Sequence, residues 1–298
     1  ISSQPLHSVI FFRGHLRRRC PYRFRSIPGY TVRRRFRLSP AVFRSRSMNT
    51  TWDAEKYGSD FSYVPEYGRE LIGLIDAGKG ASVLDLGCGN GTLTKELKDS
   101  GYNVQGIDQS DELLSVASEN CPGIRFHKGD ASFFSLEEPV DVVFSNAVFH
   151  WIPKYKHPLL LACVYRALRD GGELVFEMGG AGNNARIHEA LGKAFAAHGL
   201  PYMMPFYFPT AEEYTGMLER IGFTVKYAKL FERPTPLKGD DGMAEWIRMF
   251  VKDPFQAVSD ESLKEQIIAE ATDSLKDSLF RGGTWTADYV RLRMKAVK

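Results

Sequence analysis

The sequence predicts an α/β fold, a doubly wound, mostly parallel sheet with helices on both faces. From Thr50 onward, short apolar runs alternate with segments of helical spacing at the lengths that βαβ units need. Ala81–Leu86 and Val140–Ser145 are nearly continuous apolar runs, the texture of strands buried on both faces. The first of these runs straight into Gly87, Gly89 and Gly91, a turn placed before a helix.

Each element has its own local reason. Tyr63–Ala77 reads as a helix, with Pro65 suited to the first turn and Leu71, Ile72, Leu74 and Ile75 forming an apolar face. Ala81–Leu86 is the first strand, and Gly91–Ser100 is a helix closed by Gly101. Asn103–Ile107 is the second strand. Ser110 caps the next helix, whose first turn holds Asp111 and Glu112, favourable against the helix dipole. Gly123–His127, Val140–Ser145 and Glu173–Glu177 are the third to fifth strands, with a helix at 157–169 that stops at Gly171 and Gly172. Arg186–His198 and Ala211–Ile221 are helical, Phe223–Phe231 is a strand, and 242–251 and 260–279 are helices. At the end, Val290, Leu292, Met294 and Ala296 alternate with Arg291, Arg293 and Lys295, which predicts a strand with one wet face, at or near a sheet edge.

Composition narrows the function classes. Of 298 residues, 43% are hydrophobic and 25% charged, which excludes disordered, collagenous and disulfide-scaffold chains. The apolar stretch Pro158–Tyr165 is far short of the roughly 20 residues that span a bilayer. Residues 1–47 hold twelve arginines and no Asp, Glu or Lys, leaving 27 basic against 36 acidic residues in 48–298. That Arg-rich leader reads as a transit peptide, as residues upstream of the true start (Met48 is the first methionine), or as a basic arm for nucleic acid. Cys20, Cys88, Cys121 and Cys163 form no CxxC pair and no zinc-spaced cluster, so reduced thiols and no metal are expected.

The chemistry concentrates in Val83-Leu-Asp-Leu-Gly-Cys-Gly-Asn-Gly91. Glycines there let the main chain and a helix N-terminus approach a ligand closely. The dinucleotide fingerprint wants a glycine where Thr92 stands, and Asp85 suits a ligand ammonium better than a diphosphate. Asp108 ends the second strand 21 residues after Gly87, where a carboxylate can accept from both ribose hydroxyls. Asp130 follows the third strand and can accept from an adenine amino group, and Asn146 to Trp151 follow the fourth. All lie at carboxyl ends of parallel strands, where open α/β sheets bind ligands.

Together these segments resemble the class I S-adenosylmethionine-dependent methyltransferases. Trp52, Tyr57, Asn146, His150-Trp151 and the closing Trp285, Tyr289, Arg291-Leu-Arg293 resemble the trans-aconitate methyltransferase-like branch. The resemblance implies a Rossmann-like, seven-stranded sheet whose last strand, about 289–297, is antiparallel, and S-adenosyl-L-methionine as cofactor. It implies that Asp85, Gly87, Cys88, Gly89, Asn90 and Gly91 hold the methionine moiety. Asp108 and Gln109 would then hold the ribose, Asp130 and Ala131 the adenine, and Asn146 and Ala147 would flank the sulfonium. His150 either lines the acceptor pocket or is a satisfied core histidine beside Trp151, itself a pocket candidate.

The expected reaction is methyl transfer to a small molecule, foremost O-methylation of a carboxylic acid, which needs no general base. A phenol or amine would need one, and His150 is the imidazole in reach. N- or C-methylation of another metabolite, or a silent cofactor-binding subunit, are the alternatives. The aromatic loop within 179–209 and the segment 238–286 are expected to cap the substrate, with Tyr57 and Arg248 as substrate contacts. A monomer without nucleic-acid or membrane partners is expected, cytoplasmic if the leader is not translated and mitochondrial or plastid if it is a transit peptide.

Overall fold

A computed structural model describes Tyr63 to Lys298, with side chains from Gly68 onward. The Arg-rich leader, Trp52 and Tyr57 lie outside the described residues. In chain order the first half comprises α1 (Tyr63–Ile72), β1 (Ser82–Leu86), α2 (Thr92–Asp99), β2 (Asn103–Asp108), α3 (Asp111–Asn120), β3 (Arg125–Lys128) and β4 (Val140–Asn146). Two short 3₁₀ turns lead to α4 (His157–Ala167), β5 (Leu168–Gly179), α5 (Ala185–Ala197), α6 (Ala211–Ile221) and β6 (Thr224–Pro236). Then come α7 (Gly242–Phe250), α8 (Lys252–Phe255), α9 (Glu261–Leu279), a two-residue strand Phe280–Arg281, and β7 (Thr284–Val297).

Seven strands lie in the order β3-β2-β1-β4-β5-β7-β6, and the two-residue strand pairs with β7 off that path. The pairings from β3 to β5 are parallel, and β7 runs antiparallel between β5 and β6. The apolar runs sit where their texture demands. Val83, Leu84 and Leu86 of β1 and Val142, Val143 and Phe144 of β4 are fully buried, sandwiched by helices. One face packs α4 and α6 through Leu160, Leu161, Tyr214 and Leu218; the other packs α1 and α2 through Leu71, Leu93 and Leu97. Each such side chain contributes about 1.5–3 kcal/mol on burial. Ser110 caps α3, its hydroxyl accepting from the Leu113 N–H at 3.2 Å. A third core joins α5, α7 and α9 through Leu191, Phe195, Trp246, Ile247 and Ile268, so the two segments read as caps pack on each other.

Several boundaries shift for physical reasons. α1 stops at Ile72, before Gly73, and the chain turns there instead of running on to Ala77. α4 ends at Ala167 and the strand begins at once, so Gly171 and Gly172 lie inside β5 rather than terminating the helix. The register shift between Val140 and Val142 falls opposite them. β6 runs on to Pro236 because β7 offers a partner as far back as Thr286.

The wet face expected of the last strand is the main correction. β7 lies one strand in from the edge, and Arg291, Arg293 and Lys295 are only 6%, 8% and 5% exposed. Buried Glu177 on β5 accepts from Arg293 Nε at 2.8 Å and Arg233 Nη1 at 2.7 Å. Glu70 accepts from Arg293 Nη2 at 3.0 Å, and Lys295 Nζ reaches Asp76 at 2.6 Å and Glu173 at 3.0 Å. Period 2 identifies a strand and its charged face. Whether those charges meet water or one another is decided by side chains more than a hundred residues away in sequence.

Candidate active site

The glycine turn joins β1 to α2, and its Gly87, Gly89 and Gly91 take φ of +82°, +54° and +81°. L side chains rarely adopt such values. Two of these glycines serve different ends. A Cβ on Gly87 would stand 2.2 Å from Val148 Cγ2, so the turn after β1 packs directly on the segment after β4. A Cβ on Gly89 would meet nothing within 4 Å, so its main chain lies bare toward open space.

Asp108 ties β2 to this loop. Its Oδ2 accepts from the Gly89 N–H at 2.9 Å and its Oδ1 from the Ser110 N–H at 2.9 Å. Burial raises its carboxyl from the ordinary range, against the pull of these backbone N–H groups. Asp85 lies beneath the loop, 2% exposed, its Oδ2 accepting from Thr94 Oγ1 at 2.6 Å. Burial pushes its pKa up to about 7, with the Thr94 hydroxyl opposing and the charge of Asp108 adding. Cys88 is buried, and burial together with Asp85 and Asp108 drives its thiol far above the ordinary range, which leaves an inert filler. Asn90 turns its Oδ1 to Thr92 Oγ1 at 2.8 Å, at the start of α2.

Gln109 and Asp130 are exposed. Asp130 holds its own turn, with Oδ1 accepting from the Ser132 N–H at 2.8 Å, and Ala131 packs partly on the core. After Asn146 ends β4, Ala147 takes φ +59° and donates its N–H to the Glu177 carbonyl at 2.8 Å. A non-glycine residue in that region is uncommon and costs on the order of 1–3 kcal/mol, which the paired strands hold in place. Asp85, the glycines and Asp108 thus converge on one end of the sheet, and Val148 against Gly87 joins them to the β4 end.

Beyond Ala147 lies a small pocket, about 40 Å³ in volume, lined by His150, Trp151, Phe206, Phe208, Trp246, Phe250, Tyr289 and Arg291 with Asn183 and Asn184. Phe206 and Phe208 stack at 5.4 Å and each ring lies 6.0 Å from His150, so the aromatic loop forms one wall of this pocket. Trp151 meets Phe206 edge-on at 4.7 Å. His150 is both buried and at the pocket wall. Its Nδ1 accepts from the Gly179 N–H at 3.2 Å, so in the neutral ring the proton sits on Nε2. Burial holds its pKa well below the usual histidine range, with Arg291 and His157 adding to the shift. His157, by contrast, is a satisfied core histidine, bonded to Tyr214 Oη at 2.9 Å and the Ile152 carbonyl at 3.0 Å.

Arg248 is not in this pocket. It lies on the outer side of α7, bonded to Glu245 at 2.7 Å and to Glu265, because the inward positions of that helix go to Trp246, Ile247 and Phe250. Among the described residues the cation at the pocket is Arg291, 6% exposed, stacked at 4.3 Å on Tyr289. No carboxylate among the described residues pairs with it, and its Nε is buried without a hydrogen-bond partner. The alternation that marks β7 as a strand conceals this role, since Arg291, Arg293 and Lys295 look equivalent in sequence. Among the described residues no His, Cys, Asp or Glu cluster is placed to hold a metal, and no helix is long and apolar enough to cross a membrane.

Comparison with known proteins identifies the family. The methyltransferase-domain family matches residues 83–172, the span from β1 into β5. The chain is 32% identical to an uncharacterized methyltransferase of Schizosaccharomyces pombe, over 83% of this chain and 98% of that one. It is 30% identical to the trans-aconitate 2-methyltransferase of Deinococcus radiodurans, over 66% of this chain and 80% of that one. In fold it is similar to a Bacillus halodurans protein described as a methyltransferase, with a TM-score of 0.54 at 19% identity over 77% and 97% of the two chains. The kinship with the Schizosaccharomyces pombe methyltransferase extends over most of both chains, and together with the 3-2-1-4-5-7-6 sheet it shows that the chain belongs to the class I S-adenosylmethionine-dependent methyltransferases.

Proposed function

We propose that this protein transfers the methyl group of S-adenosylmethionine to a carboxylate oxygen of a small organic acid. The observation that carries the reading is the state of His150. Its Nδ1 is occupied by the Gly179 N–H and burial keeps the ring neutral, so Nε2 carries the proton and donates. Among the described residues, the pocket wall therefore offers N–H donors and a guanidinium but no base and no carboxylate. A phenol or amine would have to lose a proton there. A carboxylate arrives as the nucleophile.

Bare main chain at Gly89, with open space where a Cβ would stand, fits a cofactor pressed onto the loop. Gly87, Cys88, Asn90 and Gly91 would continue that contact along the methionine moiety, and Asp85 beneath it would supply negative charge for the ammonium. Asp108 and Gln109 would take the ribose hydroxyls, Asp130 and Ala131 the adenine. Asn146 and Ala147 would flank the sulfur, between the loop and the acceptor pocket. The cofactor supplies an electrophilic methyl on a cationic sulfur. The chain supplies alignment for an in-line displacement and an aromatic wall that excludes water, which strengthens the attraction between carboxylate and sulfonium. Relatives named trans-aconitate 2-methyltransferases support an acid as acceptor.

The test is transfer of a tritiated methyl group from the cofactor to trans-aconitate and a panel of small acids, with phenols and amines alongside. Label that enters only the acids, and is released by mild alkali as from an ester, is the expected result. Label in an amine or phenol, stable to alkali, would overturn the reading.

A further inference from the structure

Arg291 poses a question that the fold does not answer. Its neighbours on the same face of β7 each have a counter-ion: Arg293 has Glu177 and Glu70, Lys295 has Asp76 and Glu173. Arg291 has the face of Tyr289 and no carboxylate among the described residues, although it is as deeply buried as the other two. An unpaired charge out of water is penalised heavily unless a partner arrives. A second orphan lies at the same pocket. Asn184 is 2% exposed, held in the left-handed region at φ +52°, and its Oδ1 has no hydrogen-bond partner. One turn along α5, His188 Nε2 is likewise buried and unpartnered behind the Phe206–Phe208 pair.

We propose that Arg291, with Asn184 beside it, is the acceptor-binding clamp of this pocket, the guanidinium gripping a carboxylate of the methyl acceptor and the Asn184 amide a neighbouring polar group. The assignment rests on the carboxylic-acid reading above. It replaces Arg248, whose guanidinium is already spent on Glu245 and Glu265. A planar guanidinium matches a carboxylate in two parallel hydrogen bonds, which fixes orientation as well as position. Pairing would draw charge from an attacking oxygen, so the clamp belongs to affinity and alignment, and its loss is read in KM rather than kcat.

The experiment uses the full chain loaded with S-adenosylhomocysteine for binding, and with S-adenosylmethionine for turnover, with trans-aconitate as the probe. Arg291→Met keeps the apolar stem and removes the charge. It is expected to raise the trans-aconitate KM at least 50-fold, to leave kcat within about threefold, and to leave S-adenosylhomocysteine affinity unchanged. Its melting temperature should hold or rise, because a buried unpaired cation is gone; a merely structural arginine would show a fall. Arg291→Lys should recover part of the loss, as a point charge without the fork. Asn184→Asp sets a carboxylate next to the clamp and should abolish trans-aconitate binding while cofactor affinity stays. If wild type binds and methylates trans-aconitate and Arg291→Met does so with KM within threefold, the clamp is refuted and the proposed reaction stands. If wild type neither binds nor methylates any small acid, the proposed reaction fails, and this inference falls with it.

Discussion

Replacing Gly89 by alanine separates cofactor binding from folding. At φ +54° an L side chain costs about 1–2 kcal/mol relative to glycine. Nothing stands within 4 Å of the new Cβ, so no packing clash adds to that cost. For a domain of this size the expected fall in melting temperature is roughly 2–8 °C. The ligand side is different. A molecule in van der Waals contact with bare main chain has no room for a methyl group, and a loss of at least 100-fold in S-adenosylhomocysteine affinity, about 2.7 kcal/mol, is expected. Gly87→Ala is the contrasting variant, because its Cβ would lie 2.2 Å from Val148 Cγ2 and must displace the segment after β4. Thermal melts without ligand and calorimetric titration with S-adenosylhomocysteine read the two effects apart. Affinity within threefold of wild type in Gly89→Ala would refute the cradle. A melting loss as large as that of Gly87→Ala would refute the open space above it.

Asp85 should make stability fall with rising pH. Its folded pKa near 7 lies above its ordinary 3.8, so its contribution is full below about pH 4 and is lost as pH rises through 7, on the order of 4 kcal/mol in total. Asp85→Asn, which can still accept from Thr94, should match wild type at pH 4 and exceed it at pH 8 in urea melts; a difference that does not change with pH would contradict this. Glu177→Ala removes the buried counter-charge that Arg233 and Arg293, 9% and 8% exposed, share and leaves them the exposed Glu70, so it should lower stability by about 3 kcal/mol, whereas a loss under 1 kcal/mol in urea midpoints would show the network to be hydrated.

What the sequence made legible was governed by short-range chemistry. The β1 run, the glycine turn and Asp108 lie within residues 82–108, and their strand, turn and acid each have a local physical signature. Ser110 as a cap follows in the same way from cap preference, whereas the antiparallel direction of the last strand came only from the resemblance to the family. Asp85 was legible as an acid in the motif but not as a buried one, since Thr94 closes over it from the next helix. Arg248 and Arg291 show where local reading ends. Both are arginines among aromatic and apolar neighbours in sequence, and only the helix face of α7 and the placement of β7 between β5 and β6 decide that one meets glutamates and the other a pocket. The joint core of α5, α7 and α9 is likewise a long-range fact: each helix shows an apolar face, but not which partner covers it.

The most direct test of the account is calorimetric titration of the full chain with S-adenosylhomocysteine, with NADH titrated in parallel. The loop geometry predicts one-to-one micromolar binding of the thioether and no heat from NADH. No binding of S-adenosylhomocysteine, or a preference for NADH, would contradict it.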